Sequence, residues 1–162
     1  MLLLGHIGIT AFVSSMIYLP AFFAIVGSLL PDIVDKGLFL LGAPCGRFIA
    51  HSIFFFPIAG SVIYLITRNK KFAIAISLGS LLHLIQDMND NVPFLYPLKN
   101  YTFFVTCNFE FEFTPFIIVS EILGSLSLLF VYGFNKNFLK LRKLFWREVN
   151  GRFKRTCSIL QR

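Results

Sequence analysis

The chain carries no charged side chain before Asp32, so its first 31 residues form one long uncharged stretch, interrupted by Pro20. A second uncharged run covers residues 48–67, which is twenty residues long when His51 is neutral. A helix of that length, at about 1.5 Å per residue, matches the ~30 Å hydrocarbon core of a bilayer. These runs predict helices that are embedded in a membrane.

The composition agrees with that prediction. Of the 162 residues, 56% are apolar and only 14% are charged, whereas soluble domains are about a quarter charged. We therefore exclude a soluble globular domain and a disordered or fibrous chain. We predict an all-α fold, an integral membrane helical bundle with four or five membrane-embedded helices. The expected helices cover about residues 2–19, 21–30, 48–67, 72–86 and 114–134.

The positive charge is concentrated at the end of the chain. Nine lysine and arginine residues lie between Phe134 and Arg162, against the single acid Glu148. We therefore predict a membrane-embedded domain over residues 1–134 and a basic amphipathic tail over residues 135–162. A tail of this kind favours contact with anionic lipid, and nucleic acid is the weaker alternative. The positive-inside rule places it in the cytoplasm, and the chain is expected to be a multi-pass protein of the inner membrane.

Two pairs of polar residues indicate a metal site. His83 and Asp87 (HLIQD) are four residues apart, so on a helix they share one face and can bind a single ion. Asp32 and Asp35 follow Pro31 in GSLLPDIVDK, where the alternative is a turn that leaves the membrane with solvated aspartates. Ionisable groups beside membrane spans are costly and normally functional. We predict Asp32 as a metal ligand, and Asp35 as either a support for a ligand or a base.

A third pair adds a phosphate-binding group. Arg47 and His51 (GRFIAHS) are also four residues apart, so His51 can hold metal while Arg47 binds a phosphate with two hydrogen bonds. The alternative for Arg47 is extension to the lipid headgroups. The topology brings the three histidines and four aspartates to one membrane surface, the extracytoplasmic one. The aspartates are Asp32, Asp35, Asp87 and Asp90.

Five segments, taken in their order along the chain, resemble those of a known protein family. They are GHIGIT (5–10), GSLLPDIVDK (27–36), GRFIAHS (46–52), GSLLHLIQD (79–87) and FLYPL (94–98). Together they resemble the membrane-bound metal-dependent hydrolases, the group that includes the LexA-binding, inner-membrane-associated hydrolases. This group is distantly similar to zinc phospholipase C and the zinc-dependent single-strand nucleases, which are all-helical enzymes that hydrolyse phosphate esters with clustered zinc.

The resemblance implies a ligand set and an activity. Its pattern of an early His, an Asp, a His and a later HxxxD falls on His6, Asp32, His51, His83 and Asp87. Those enzymes use a second HxxxD, and this chain has no fourth histidine, so one or two ions are implied, with zinc favoured over manganese. Residues 1–134 would then form a hydrolase-like domain that cleaves a phosphate ester of a lipid or envelope component.

The expected chemistry gives the remaining residues their roles. The metal activates water, Asp35 or Asp90 accepts the proton, and Arg47 stabilises the developing charge. The alternative is a non-catalytic membrane module, in which the polar cluster is a structural metal site or a hydrogen-bonded contact between helices. Its basic tail would then recruit a partner.

The charge distribution predicts which cysteines are accessible from outside the cell. Cys107 lies in the loop of residues 89–113, which is expected on the extracytoplasmic side, and Cys157 lies in the basic tail. A membrane-impermeant maleimide should therefore modify Cys107 in intact cells and spare Cys157 until the cells are permeabilised. Labelling of Cys157 in intact cells would overturn the orientation.

Overall fold

The computed structural model describes residues 3–43, 46–88, 91–102 and 115–133, together with 139–140, 142–144 and 146–147. All regular structure in these residues is helical, which confirms the all-α prediction for this part of the chain. The helices are α1 (Leu3–Met16), α2 (Ala21–Leu40), a 3-10 turn (Ile49–His51), α3 (Phe55–Thr67), α4 (Lys70–Gln86), α5 (Pro115–Leu128) and a π-helical segment (Leu129–Gly133).

Contacts divide the chain into two compact units, Met1–Leu128 and Leu129–Arg162. The helices α1 to α5 all belong to the first unit. The predicted basic tail lies largely outside the described residues, and so do Asp90, Cys107 and Cys157.

The prediction of four or five membrane-embedded helices is wrong. Among the residues that the structure describes, only the helix over Pro115–Gly133, with 19 residues, is long and apolar enough to cross a membrane. The uncharged runs of the sequence were counted as helices, but the backbone divides them. The run at residues 48–67 contains the 3-10 turn, and α3 begins only at Phe55 and has 13 residues.

The first uncharged run is divided at Pro20, as the sequence predicted, but its first helix is shorter than expected. Tyr18 has a φ of 61°, in the left-handed region, and Pro20 immediately precedes α2. Consequently α1 has 14 residues and a length of about 21 Å, which is shorter than the hydrocarbon core. Helix α2 is longer, with 20 residues, but it includes Asp32, Asp35 and Lys36.

Pro31 lies inside α2 and does not end it. We expected a helix that ends near Leu30, because proline has no N–H to donate to the carbonyl four residues earlier. In α2 that carbonyl belongs to Gly27, and the Ser80 hydroxyl of α4 donates to it at 2.8 Å. A side chain of α4 thus supplies the hydrogen bond that proline removes, and α2 continues through Asp32 and Asp35.

Helices α2 and α4 touch through their backbones. A Cβ on Gly79 would overlap the carbonyl oxygen of Ala24, and a Cβ on Gly27 would overlap that of Ile76. Glycine is therefore required on both sides of this crossing, since any side chain would push the helices apart. The close approach brings the second half of α2 next to the end of α4.

The backbone contact between α2 and α4 gives a stability prediction with a matched control. Gly79→Ala should reduce the free energy of unfolding by about 1–3 kcal/mol, because the added methyl group overpacks a backbone contact. Gly37→Ala, in α2, should leave stability unchanged or raise it by up to about 1 kcal/mol, since nothing lies within 4 Å of its Cβ position. Thermal unfolding in detergent measures both. Equal stability of the two variants would contradict the backbone contact.

Candidate metal centre

Polar residues from four parts of the chain meet at one end of the α2–α4 pair. Helix α1 supplies one histidine and α2 supplies two aspartates. The segment around the 3-10 turn supplies an arginine and a histidine. Helix α4 supplies a histidine, and the residue directly after this helix is an aspartate. These residues are His6, Asp32, Asp35, Arg47, His51, His83 and Asp87. The three histidines, Asp35 and Asp87 are buried, whereas Asp32 and Arg47 are partly exposed.

Oxygens of Asp32 and Asp87 lie near the Nε2 atoms of His51 and His83. The Nε2 atoms of His51 and His83 are 3.1 Å apart. The Oδ1 atom of Asp32 lies 3.6 Å and 3.8 Å from these two nitrogens, and the Oδ2 atom of Asp87 lies 3.8 Å and 3.7 Å from them. A tetrahedral zinc ion with bonds of about 2.0–2.2 Å has ligand atoms about 3.3–3.6 Å apart. Two sets of three atoms, Asp32 with both histidines and Asp87 with both histidines, therefore come close to this spacing.

His6 extends the cluster on the α1 side. Its Nε2 atom is 3.4 Å from Oδ1 of Asp87, and its ring stacks on that of His83 with centroids 4.1 Å apart. Two overlapping groups of ligand atoms result, and within each group all atoms lie within 4.8 Å of one another. One group is His6, His83 and Asp87, and the other is Asp32, His51 and His83. The five residues thus offer room for one or two ions.

Asp35 holds the turn that carries His51. Its Oδ2 atom accepts hydrogen bonds from Nδ1 of His51 at 2.7 Å and from the backbone N–H of Phe48 at 2.6 Å, and its Oδ1 atom accepts one from Ala50 at 2.9 Å. With Nδ1 as the donor, the lone pair on Nε2 of His51 faces Asp32 and His83. Both oxygens of Asp35 are occupied, which favours its role as a support over that of a base.

Two cations lie beside the acidic ligands. Nε of Arg47 is 3.4 Å from Oδ2 of Asp87, and the arginine side chain is 34% exposed. Nζ of Lys36 is 2.8 Å from Oδ2 of Asp32. Sequence reasoning missed Lys36, although its position four residues after Asp32 on one helix was a readable signal. Both cations reach solvent, so they mark the side from which an anion can approach.

The protonation states of Asp32 and His83 suit metal binding, whereas hydrogen bonds with Asp32 and Asp35 outweigh burial and raise the pKa of His51. Burial acts to raise the pKa of Asp32, but hydrogen bonds with His51 and Lys36 outweigh it and hold that pKa well below its usual range. Burial and the neighbouring His6 lower the pKa of His83 to about 3. At neutral pH Asp32 is therefore ionised and His83 is neutral, which are the forms that bind a metal ion.

The arrangement around Asp35 gives a prediction that is independent of metal. In Asp35→Asn one oxygen becomes an NH2 group, and in either orientation it faces a backbone N–H donor. Stability of the metal-free protein should therefore fall by about 1–3 kcal/mol. Asp32→Asn is the control, because Asp32 is partly exposed and pairs with the flexible Lys36. Chemical unfolding with a chelator present measures the stability of both variants. An equal loss of stability in the two would contradict the supporting role of Asp35.

Comparison with known proteins identifies the family. The family model described as "YdjM inner membrane protein" matches residues 1–146. No curated protein and no solved structure matches the chain. The description names a membrane location and no hydrolase activity. Because the match covers residues 1–146 of a 162-residue chain, the chain belongs to the YdjM inner membrane protein family.

Proposed function

We propose that the chain is a membrane-bound, metal-dependent hydrolase that cleaves a phosphate ester. The observation that carries this proposal is the convergence of two aspartate oxygens on the Nε2 atoms of His51 and His83, each at 3.6–3.8 Å from those nitrogens. Zinc is the favoured ion and manganese the alternative, with one or two ions bound. The resemblance of the five sequence segments to membrane-bound metal-dependent hydrolases, and distantly to zinc phospholipase C, supports the same activity.

The proposed ligands divide into a buried set and an exposed member. His51, His83 and Asp87 are buried, with His6 beside Asp87. The Asp32 side chain is 25% exposed and shares its carboxylate with Lys36, so the position next to Asp32 is the one that a water or substrate oxygen can reach. The proposed ligands would hold a zinc ion there, which would supply an activated water and polarise a phosphoryl oxygen.

Arg47 is the proposed phosphate-binding residue. Its guanidinium presents five N–H donors in a planar fork that suits phosphate, and it lies beside Asp87 with a third of its side chain exposed. Lys36 adds a second cation on the Asp32 side. For proton transfer we propose Asp90 in preference to Asp35, because both oxygens of Asp35 already accept hydrogen bonds.

The favoured substrate is an amphipathic phosphate ester of a lipid or envelope component. Large apolar side chains next to the ligands in the sequence are exposed: Ile33 by 63%, Ile49 by 44% and Met88 by 61%. Apolar surface beside a cluster of cations suits a molecule with both a phosphate and a hydrocarbon chain, and membership of an inner membrane family agrees with it. We propose the bilayer as the partner, with a cytoplasmic tail and an extracytoplasmic site.

A structural metal site in a non-catalytic membrane module is the second candidate. The observation in its favour is that His51 and His83 are fully buried. Structural zinc sites are closed by four protein ligands, whereas catalytic sites keep one position open. The two candidates therefore differ in whether Asp32 stays bound while the protein works.

A metal and turnover assay on the purified protein tests the proposal. Wild type should carry one or two zinc ions per chain, and His83→Ala and Asp87→Ala should lose them. Arg47→Ala should keep the metal but lose activity by about 100–1,000-fold, as expected when one donor to the transition state is removed. Arg68→Ala, an exposed arginine at the end of α3, is the control and should match wild type.

Substrates for the assay are a panel of phospholipids and prenyl phosphates in mixed micelles, with released phosphate or headgroup as the readout. A folded wild type without metal would refute the proposal. A metal-bound wild type that turns over no member of the panel would favour the structural site.

A further inference from the structure

Glu121 is the only charged residue in the sequence of the candidate membrane span, residues 115–133. A carboxylate at such a position is costly, so such residues are usually retained for a function. Nothing in the proposed hydrolysis uses Glu121, because its contacts are made with α1 and not with the ligand atoms.

The Glu121 carboxylate caps α1 from another helix. Its Oε2 atom accepts the backbone N–H of Leu4 at 3.0 Å, and its Oε1 atom accepts that of Gly5 at 2.9 Å. The first four N–H groups of a helix have no partner within the helix, and a negative charge near them is stabilised by the helix dipole. A side chain more than a hundred residues away in the chain thus completes the first turn of α1.

Glycine contacts fix the same turns of α1 against α5. A Cβ on Gly124 would overlap the carbonyl oxygen of Leu4, and a Cβ on Gly8 would overlap that of Gly124. The two helices therefore meet backbone to backbone on both sides of His6. The position of α1 along α5 is set by this packing together with the two hydrogen bonds to Glu121.

His6 is the only predicted metal ligand on α1, and it directly follows Gly5. Its side chain is 1% exposed and its Nε2 atom faces Asp87 at 3.4 Å. A displacement of about 1 Å at this turn would move Nε2 out of ligand range, because metal bonds tolerate deviations of only ~0.2 Å. The placement of His6 therefore depends on the turn that Glu121 caps.

We infer that Glu121 is a positioning residue of the metal centre, which acts through the α1 backbone and holds His6 in ligand range. The inference rests on the proposed function, because it requires a bound metal ion. It assigns to the candidate membrane span an influence on zinc affinity that is transmitted through α1.

Zinc affinity of single and double variants tests the inference. Competition with a chromophoric chelator measures affinity in wild type, Glu121→Ala, Glu121→Gln, His6→Ala and the double variant with both alanines. Glu121→Ala and His6→Ala should each weaken zinc binding by about 10–100-fold. The double variant should bind no more weakly than His6→Ala alone, because Glu121 acts through His6.

Two further variants sharpen the comparison. Glu121→Gln keeps one acceptor oxygen, so its zinc affinity should lie between those of wild type and Glu121→Ala. If the alanine variant fails to fold, the glutamine variant is compared with wild type instead. Ser127→Ala is the matched control on α5, since the Ser127 hydroxyl donates only to Leu123 of its own helix. It should bind zinc as wild type does.

Amide hydrogen exchange provides a readout of the cap itself. The Leu4 and Gly5 amides should lose protection in Glu121→Ala while the rest of the protein stays folded. Lost protection with unchanged zinc affinity would overturn the inference, and so would additive losses in the double variant. A wild type that binds no zinc would overturn the proposed function, and the inference with it.

Discussion

The contact between the backbones of α2 and α4 determines where the ligands of the candidate metal centre lie. Gly27 and Gly79 allow the two helices to touch, and the Ser80 hydroxyl bonds across the contact to the Gly27 carbonyl. Asp32 and His83 lie five and four residues beyond these glycines, about one turn further along each helix. A larger residue at either glycine would separate an aspartate and a histidine that now lie 3.8 Å apart.

Burial of charge explains how the cluster stays together. A carboxylate removed from water must be hydrogen bonded, or its burial costs several kcal/mol. Asp35 is fully buried and meets this requirement with three backbone N–H groups and one imidazole. The same bonds fold the segment around the 3-10 turn and orient His51, so one aspartate both satisfies its own charge and places a neighbouring ligand.

The sequence indicated which polar residues lie together better than it indicated the architecture. The spacing of His83 and Asp87 depends only on local helix geometry, whereas the place of His6, Asp32 and His51 in the same set was implied by the resemblance to a known family. The number of membrane-crossing helices was wrong, because the length of an uncharged run does not show where the backbone turns. The left-handed residue Tyr18 and the turn before Phe55 have no charge to reveal them. The capping of α1 by Glu121 joins distant parts of the chain, so spacing could not predict it.

The proline within α2 has a consequence for how the molecule assembles. On its own, the stretch after Pro31 lacks one helical hydrogen bond, and an isolated helix with an internal proline is destabilised by about 3 kcal/mol. The missing bond is supplied by Ser80 only when α4 is in place. The part of α2 that carries Asp32 and Asp35 recovers this hydrogen bond only through α4, so formation of this end of the site is coupled to the docking of α4.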